Sequence, residues 1–71
     1  MMNNDTPNNL PEAMEKEIQR NRELVDVYKT IPTGGFGAMM IDRDIKEGVA
    51  ALASGDVIRI LRSYESLKGN E

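Results

Sequence analysis

The sequence predicts an all-α protein of three helices, and three observations carry that prediction. Apolar residues recur at intervals of three or four in three segments, which is the period of helices with one buried face. Two glycine-containing breaks separate the segments. No run alternates apolar and polar residues around an Asn-Gly or Asp-Gly turn, so no strand is predicted. We expect a long N-terminal helix, a glycine-rich loop and a compact αα-hairpin.

The first helix is predicted over about 11–30, after a flexible polar tail over 1–9. Asn9 is placed to act as the N-cap, and Pro11 suits the first turn. A narrow stripe follows the 4-3 spacing of a heptad seam, which is typical of helices that pair with other chains. We therefore predict a homo-oligomer interface at Met14, Ile18, Asn21, Val25 and Tyr28.

The loop after the first helix has three glycines in four positions, so its backbone either adopts positive φ or closely approaches another group. One interpretation is a sharp connection whose Phe36, Met39 and Met40 fill the core. The other is a ligand site that holds a phosphate or carboxylate on the free N–H groups of the second helix. The candidate ligand-binding residues are Thr33, Gly34, Gly35, Phe36 and Gly37, with Tyr28 and Arg62 as outer members.

The second and third helices are predicted over about 37–53 and 57–67. Between them, Gly55 suits a left-handed position and Asp56 suits an N-cap. We expect one face of the third helix to consist of Val57, Ile60, Leu61 and Tyr64. Residues 10–68 form the single predicted domain, and 69–71 form its C-terminal end.

Large apolar side chains are numerous for so short a hairpin. One αα-hairpin cannot cover all of them, so we expect oligomerisation to complete the fold. The residues concerned are Phe36, Met39, Met40, Val57, Ile58, Ile60, Leu61, Tyr64 and Leu67.

Composition narrows the classes of function. The 71 residues contain no His and no Cys, which excludes a Cys nucleophile, a His general base, a disulfide and a Cys/His zinc site. We expect that the protein is not an enzyme and that it binds neither a metal ion nor a cofactor. The 12 acidic and 9 basic residues argue against dedicated nucleic-acid binding. No apolar run approaches the roughly 20 residues that span a bilayer, so we expect no membrane association and a cytoplasmic location.

Two runs of residues carry a resemblance to a class of protein. They are Tyr28–Lys29–x–Ile31–Pro32–Thr33–Gly34–Gly35–Phe36–Gly37–Ala38–x–Met40–Ile41 and Ala51–Leu52–Ala53–Ser54–Gly55–Asp56–Val57. Across about residues 24–68 the chain resembles small, mostly uncharacterised accessory proteins encoded by bacteriophages and prophages. The resemblance implies a non-enzymatic protein in the host cytoplasm that binds a host factor, or that oligomerises and sequesters a signalling nucleotide. It supplies no catalytic or binding residue.

Three hypotheses of function follow from these observations. The first is a self-associating helical protein that counters host defence by binding a nucleotide-like ligand at the glycine-rich loop. The second is an inhibitor or adaptor that uses its Met/Phe apolar surface against a host protein. The third is a structural assembly piece without a ligand.

Overall fold

The computed structural model describes residues 9–71, which form three helices: α1 (Leu10–Lys29), α2 (Gly35–Ser54) and α3 (Val57–Lys68). No strand occurs in this part of the chain, and the predicted all-α class is confirmed. Most of the predicted tail, residues 1–8, lies outside the described residues. None of the three helices is long and apolar enough to cross a membrane.

The helix boundaries follow local backbone chemistry. α2 begins two residues before the predicted position, because the amide of Ala38 already donates to the carbonyl of Gly34 and closes the first turn there. Asn9 holds the N-cap position of α1, but its side chain makes no capping hydrogen bond. Between α2 and α3, Gly55 has φ +72° and the Asp56 carboxylate accepts from the amides of Ile58 and Arg59. Both predictions for this turn are confirmed.

The core lies where the three helices meet. Its apolar residues are Met14, Ile18 and Val25 of α1, Ala38, Ile41, Ile45 and Ala51 of α2, and Ile60 and Leu67 of α3.

The core corrects the interface predicted on α1. Met14, Ile18, Asn21 and Val25 are all buried inside the single chain, and Tyr28 packs against them. A heptad stripe and a core-facing stripe share nearly the same spacing, so the pattern does not say which chain covers it. Here α2 and α3 of the same chain do so.

Asn21 connects α1 to the C-terminal end of α3. Its side chain is fully buried, and its Nδ2 donates to the carbonyl of Leu67 at 3.2 Å. The same carbonyl accepts from Nη2 of Arg20 at 2.8 Å. The Oδ1 of Asn21 accepts from Asn70, which also donates to Asp44 of α2 at 3.0 Å. This network satisfies polar groups at the end of α3 and fixes that end against both other helices.

Gly48 lies on the buried side of α2, in contact with side chains of both other helices. A Cβ on this buried residue would lie 3.2 Å from Leu67 and from Ser63 Oγ, and 3.5 Å from Ile18. Ser63 Oγ has no hydrogen-bond partner among the described residues. The backbone of α2 therefore packs directly against side chains of α1 and α3.

The apolar residues outside the core differ from the sequence prediction. The sequence predicts Val57, Ile60, Leu61 and Tyr64 on one face of α3. Ile60 is buried, but Val57 and Leu61 are exposed, as is Ile58. α3 contacts α1 and α2 through Ile60, Ser63 and Leu67, and residues displaced around the helix from that side remain in solvent.

Candidate functional site

The turn between α1 and α2 owes two of its three glycines to Tyr28. A Cβ on Gly34 would overlap the carbonyl oxygen of Tyr28, and one on Gly37 would lie 2.6 Å from the Tyr28 ring. Neither glycine has positive φ; among the described residues only Gly55 does. Gly34 and Gly37 are therefore required by close approach to Tyr28 and not by positive φ.

Tyr28 itself is a structural residue of the turn. Its ring lies over Gly37, and its hydroxyl donates to the backbone carbonyl of Glu71. Tyr28 therefore joins the end of α1, the start of α2 and the C-terminal segment. Thr33 is exposed on the outside of this turn.

Gly35 differs from its neighbours because a Cβ there would meet nothing within 4 Å. It begins α2, whose N-cap, Gly34, offers no capping side chain and whose first turn has no acidic residue. The first N–H groups of a helix have no intrahelical acceptor and carry the positive end of the helix dipole. The start of α2 is thus electrically suited to an anion and sterically open at Gly35.

A groove of about 300 Å³ runs between α1 and α2 beside this helix start. It is lined by Val25, Lys29, Gly35, Ala38, Met39 and Asp42. The side chains of Lys29 and Asp42 give it one positive and one negative group, while the rest of its lining is apolar or glycine. The groove therefore offers an apolar floor with charges of both signs.

The largest apolar residues near the groove form what we call the Phe/Met patch: Phe36, Met39 and Met40. Phe36 is 70% exposed, Met39 58% and Met40 36%. Spacings of three and four residues place Met39 and Met40 beside Phe36 on the outward side of α2. The interpretation in which these side chains fill the core is wrong, because Ala38, Ile41 and Ile45 occupy that side of the helix.

Arg62 is not brought to the glycine loop. It lines a separate groove with Glu47, Arg59 and Ser66, to which no residue of the loop contributes. Glu47 lies twelve residues along α2 from Gly35, or about 18 Å at 1.5 Å per residue. Arg62 therefore contributes nothing to an anion site at the start of α2.

The shortest ion pair of the described residues joins α2 to α3. Nε and Nη2 of Arg59 donate to the two carboxylate oxygens of Glu47 at 2.7 and 3.0 Å. These hydrogen bonds hold the pKa of Glu47 below its ordinary value of 4.5 and raise the pKa of Arg59. Both side chains are exposed, and the charge of each is balanced by the other. We call this pair, which links α2 to α3 at the surface, the surface clasp.

Comparison with models of protein families, with curated proteins and with solved structures finds no match for this chain. Within residues 9–71, no three acidic side chains are grouped closely enough to hold a metal ion.

Sequence reasoning identified Phe36, Met39 and Met40 as notable but could not place them outside the core. A helical projection of α2 would have indicated that these side chains face outward, because Phe36 and Met39 lie roughly opposite Ile41 on an α-helix. The contribution of Lys29 and Asp42 depends on how α1 packs against α2, and no local pattern reports that.

Proposed function

We propose that the protein is a non-enzymatic binding protein that takes up an apolar segment of another protein on the Phe/Met patch and in the adjoining groove. The observation that supports this proposal is the exposure of three large apolar side chains on one side of α2, beside the groove. Contiguous apolar surface of this kind marks interaction sites, and Met adapts to partners of different shape.

The energetics favour a partner at this surface. Fully burying an exposed Phe or Met side chain contributes about 1.5–3 kcal/mol to the free energy of association. In the isolated chain these side chains are exposed, so this free energy is gained only when a partner binds. Met39 belongs both to the patch and to the groove, so one bound segment can contact both.

The groove also defines the chemistry of the partner. An apolar side chain of the bound segment would lie against Ala38 and Met39. An acidic neighbour would pair with Lys29, whereas Asp42 already pairs with Lys46 at 3.2 Å. The resemblance to phage-encoded accessory proteins supports a host protein as the source of this segment.

The test is affinity capture with the whole chain, followed by titration calorimetry against each purified protein that is captured. We expect Met39→Ser/Met40→Ser to weaken binding at least tenfold, because two of the three apolar contacts become polar. Val49→Ser is the matched control, since Val49 is exposed on α2 but lies outside both the patch and the groove. Equal affinity of the Met39/Met40 variant and the wild type would refute the proposal.

A nucleotide-like ligand is the second candidate, and the open start of α2 favours it. Phosphate would lie on the first N–H groups of α2 near Lys29, with an apolar base against Phe36 or Met39. A panel of cyclic and linear nucleotides should then raise the melting temperature.

A substitution at Gly35 tests nucleotide binding at the start of α2. Gly35→Val should abolish the rise in melting temperature while the helical circular dichroism stays unchanged, because the added side chain fills open space at the helix start. No shift with any nucleotide eliminates the candidate. A shift that persists in Gly35→Val places the ligand elsewhere.

A further inference from the structure

A second surface on a different helix points to a different kind of contact. We define the α3 outer face as Val57, Ile58, Leu61, Arg62 and Glu65. All five residues are exposed, and Leu61 is 44% exposed although it belongs to the apolar series of the helix. Ile58, Leu61 and Glu65 follow a 3-4 spacing, which aligns them along one side of α3. The core side of the same helix is formed by Ile60, Ser63 and Leu67.

The charges of this face are balanced. Arg62 and Glu65 contribute +1 and −1, and neither forms an ion pair with another described residue. Arg43 and Lys46, by contrast, stand with Asp44 and Glu47 along α2, where Lys46 pairs with Asp42 and Glu47 with Arg59. The outer face of α3 therefore holds an apolar centre, with one cation and one anion at its edge that are unpaired within residues 9–71.

Such a surface is complementary to itself. When two identical helices pair antiparallel about a two-fold axis, a residue i of one copy meets residue j of the other, and j meets i. Arg62 of each copy can then meet Glu65 of the other, which forms two ion pairs. Parallel pairing would bring like charges together instead. Antiparallel pairing also sets the two helix dipoles in opposite directions.

We infer that the protein self-associates as an antiparallel dimer through the α3 outer face, with the two-fold axis between Leu61 and Glu65 and reciprocal Arg62–Glu65 pairs at the edge of the contact. A second copy fits this face because the face carries both members of an ion pair, so Arg62 of each copy finds a Glu65 on the other. The inference is independent of the function proposed for the Phe/Met patch, which lies on α2.

The test is sedimentation equilibrium of the whole chain over a concentration series from micromolar to millimolar. We expect the mass to rise with concentration from 7.9 kDa towards twice that value. Leu61→Glu should hold the mass at 7.9 kDa across the series. Val49→Glu is the control: Val49 is 46% exposed, close to the 44% of Leu61, but it lies on α2.

Charge reversal tests the orientation of the pair. Arg62→Glu and Glu65→Arg should each raise the dissociation constant about tenfold, because each turns two attractive pairs into two repulsive ones. The double variant Arg62→Glu/Glu65→Arg should return it to within about threefold of the wild type, because the reciprocal pairs form again with opposite polarity. Circular dichroism and the melting temperature confirm that each variant folds.

Three outcomes overturn the inference. The first is a mass of 7.9 kDa at every concentration. The second is a dimer that survives Leu61→Glu, which locates the contact on another surface such as the Phe/Met patch. The third is a double charge variant that associates no better than the single variants, which excludes the antiparallel Arg62–Glu65 exchange.

Discussion

α1 and α3 both pack against α2, but they bury different shares of their apolar residues. α1 has a narrow stripe whose Met14, Ile18 and Val25 lie in the core, and of its large apolar residues only Val27 is exposed. α3 has a broad apolar surface, of which it buries Ile60 and Leu67 and exposes Val57, Ile58 and Leu61.

This difference follows from how much of each helix a three-helix bundle covers. The neighbouring helices cover one side of each helix, so an apolar stripe confined to that side is buried in the core. An apolar surface that extends beyond that side leaves residues in solvent, where they are available to another molecule. α1 is therefore a core helix, and α3 is both a core helix and a contact helix. Substitutions at Met14 and Leu61 test this distinction directly, and substitutions at Asn21, Asp56 and Glu47 test what holds α3 in place.

The largest expected effect is that of Met14→Ala on α1. Met14 is fully buried, so truncation removes core contacts and leaves a cavity; we expect a loss of about 2–5 kcal/mol in the free energy of unfolding. Urea denaturation measures it. Leu61→Ala is the matched substitution on α3 and should cost less than about 1 kcal/mol in dilute, monomeric protein. Equal losses at the two positions would abolish the distinction between the helices.

Asn21→Ala should have the next largest effect, because it removes the hydrogen bonds that fix the end of α3. The Leu67 carbonyl loses one donor and Asn70 loses its acceptor on α1. We expect a cost of about 1–3 kcal/mol, partly offset by the better helix propensity of Ala. Hydrogen exchange should show faster opening of the last turn of α3. Gln19→Ala, an exposed change on the same helix, should leave both measurements nearly unchanged.

Asp56→Ala addresses the other end of α3. The Asp56 carboxylate accepts from the amides of Ile58 at 3.0 Å and Arg59 at 3.3 Å, and its loss should destabilise the chain by about 1 kcal/mol. Thermal unfolding followed by circular dichroism measures this loss. Asp56→Asn keeps a side-chain acceptor and should restore most of the stability; a variant as weak as Asp56→Ala would show that capping is not the cause.

The smallest expected effect is that of Glu47→Gln, which weakens the surface clasp between α2 and α3. The hydrogen bonds from Arg59 lower the pKa of Glu47, so the clasp stabilises the fold above the ordinary pKa of 4.5 and is lost as the pH falls through the lowered value. Melting temperatures of wild type and variant should therefore differ slightly at neutral pH and converge in acid. A gap that widens in acid would contradict this sign.

Much of the architecture could be predicted from residue types. Gly55 and Asp56 mark the second turn because a left-handed position favours glycine and a helix start favours a carboxylate. The first turn was predicted as a break, but its glycines were ambiguous. Gly34 and Gly37 are required by Tyr28, a residue of the preceding helix, and only the folded chain brings these groups together.

The candidate site was predictable in part. Gly35 and Phe36 were predicted in the loop before α2 but belong to its first turn, and their role in ligand binding stays a prediction. Arg62 lies apart from them, because helix spacing does not report how α3 packs. The groove lined by Lys29, Met39 and Asp42 depends on the register of α1 against α2.

The sequence by itself determined the class of the fold, the three helices and the chemistry of the second turn, because these depend on local periodicity and on single-residue preferences. The tertiary structure alone decided which side of each helix faces inward. That choice buried the α1 stripe with Asn21 and exposed the Phe/Met patch and Leu61. The physical reason is that burial is a property of packing: a spacing of three and four residues marks an apolar side, and only the neighbouring helices decide what covers it.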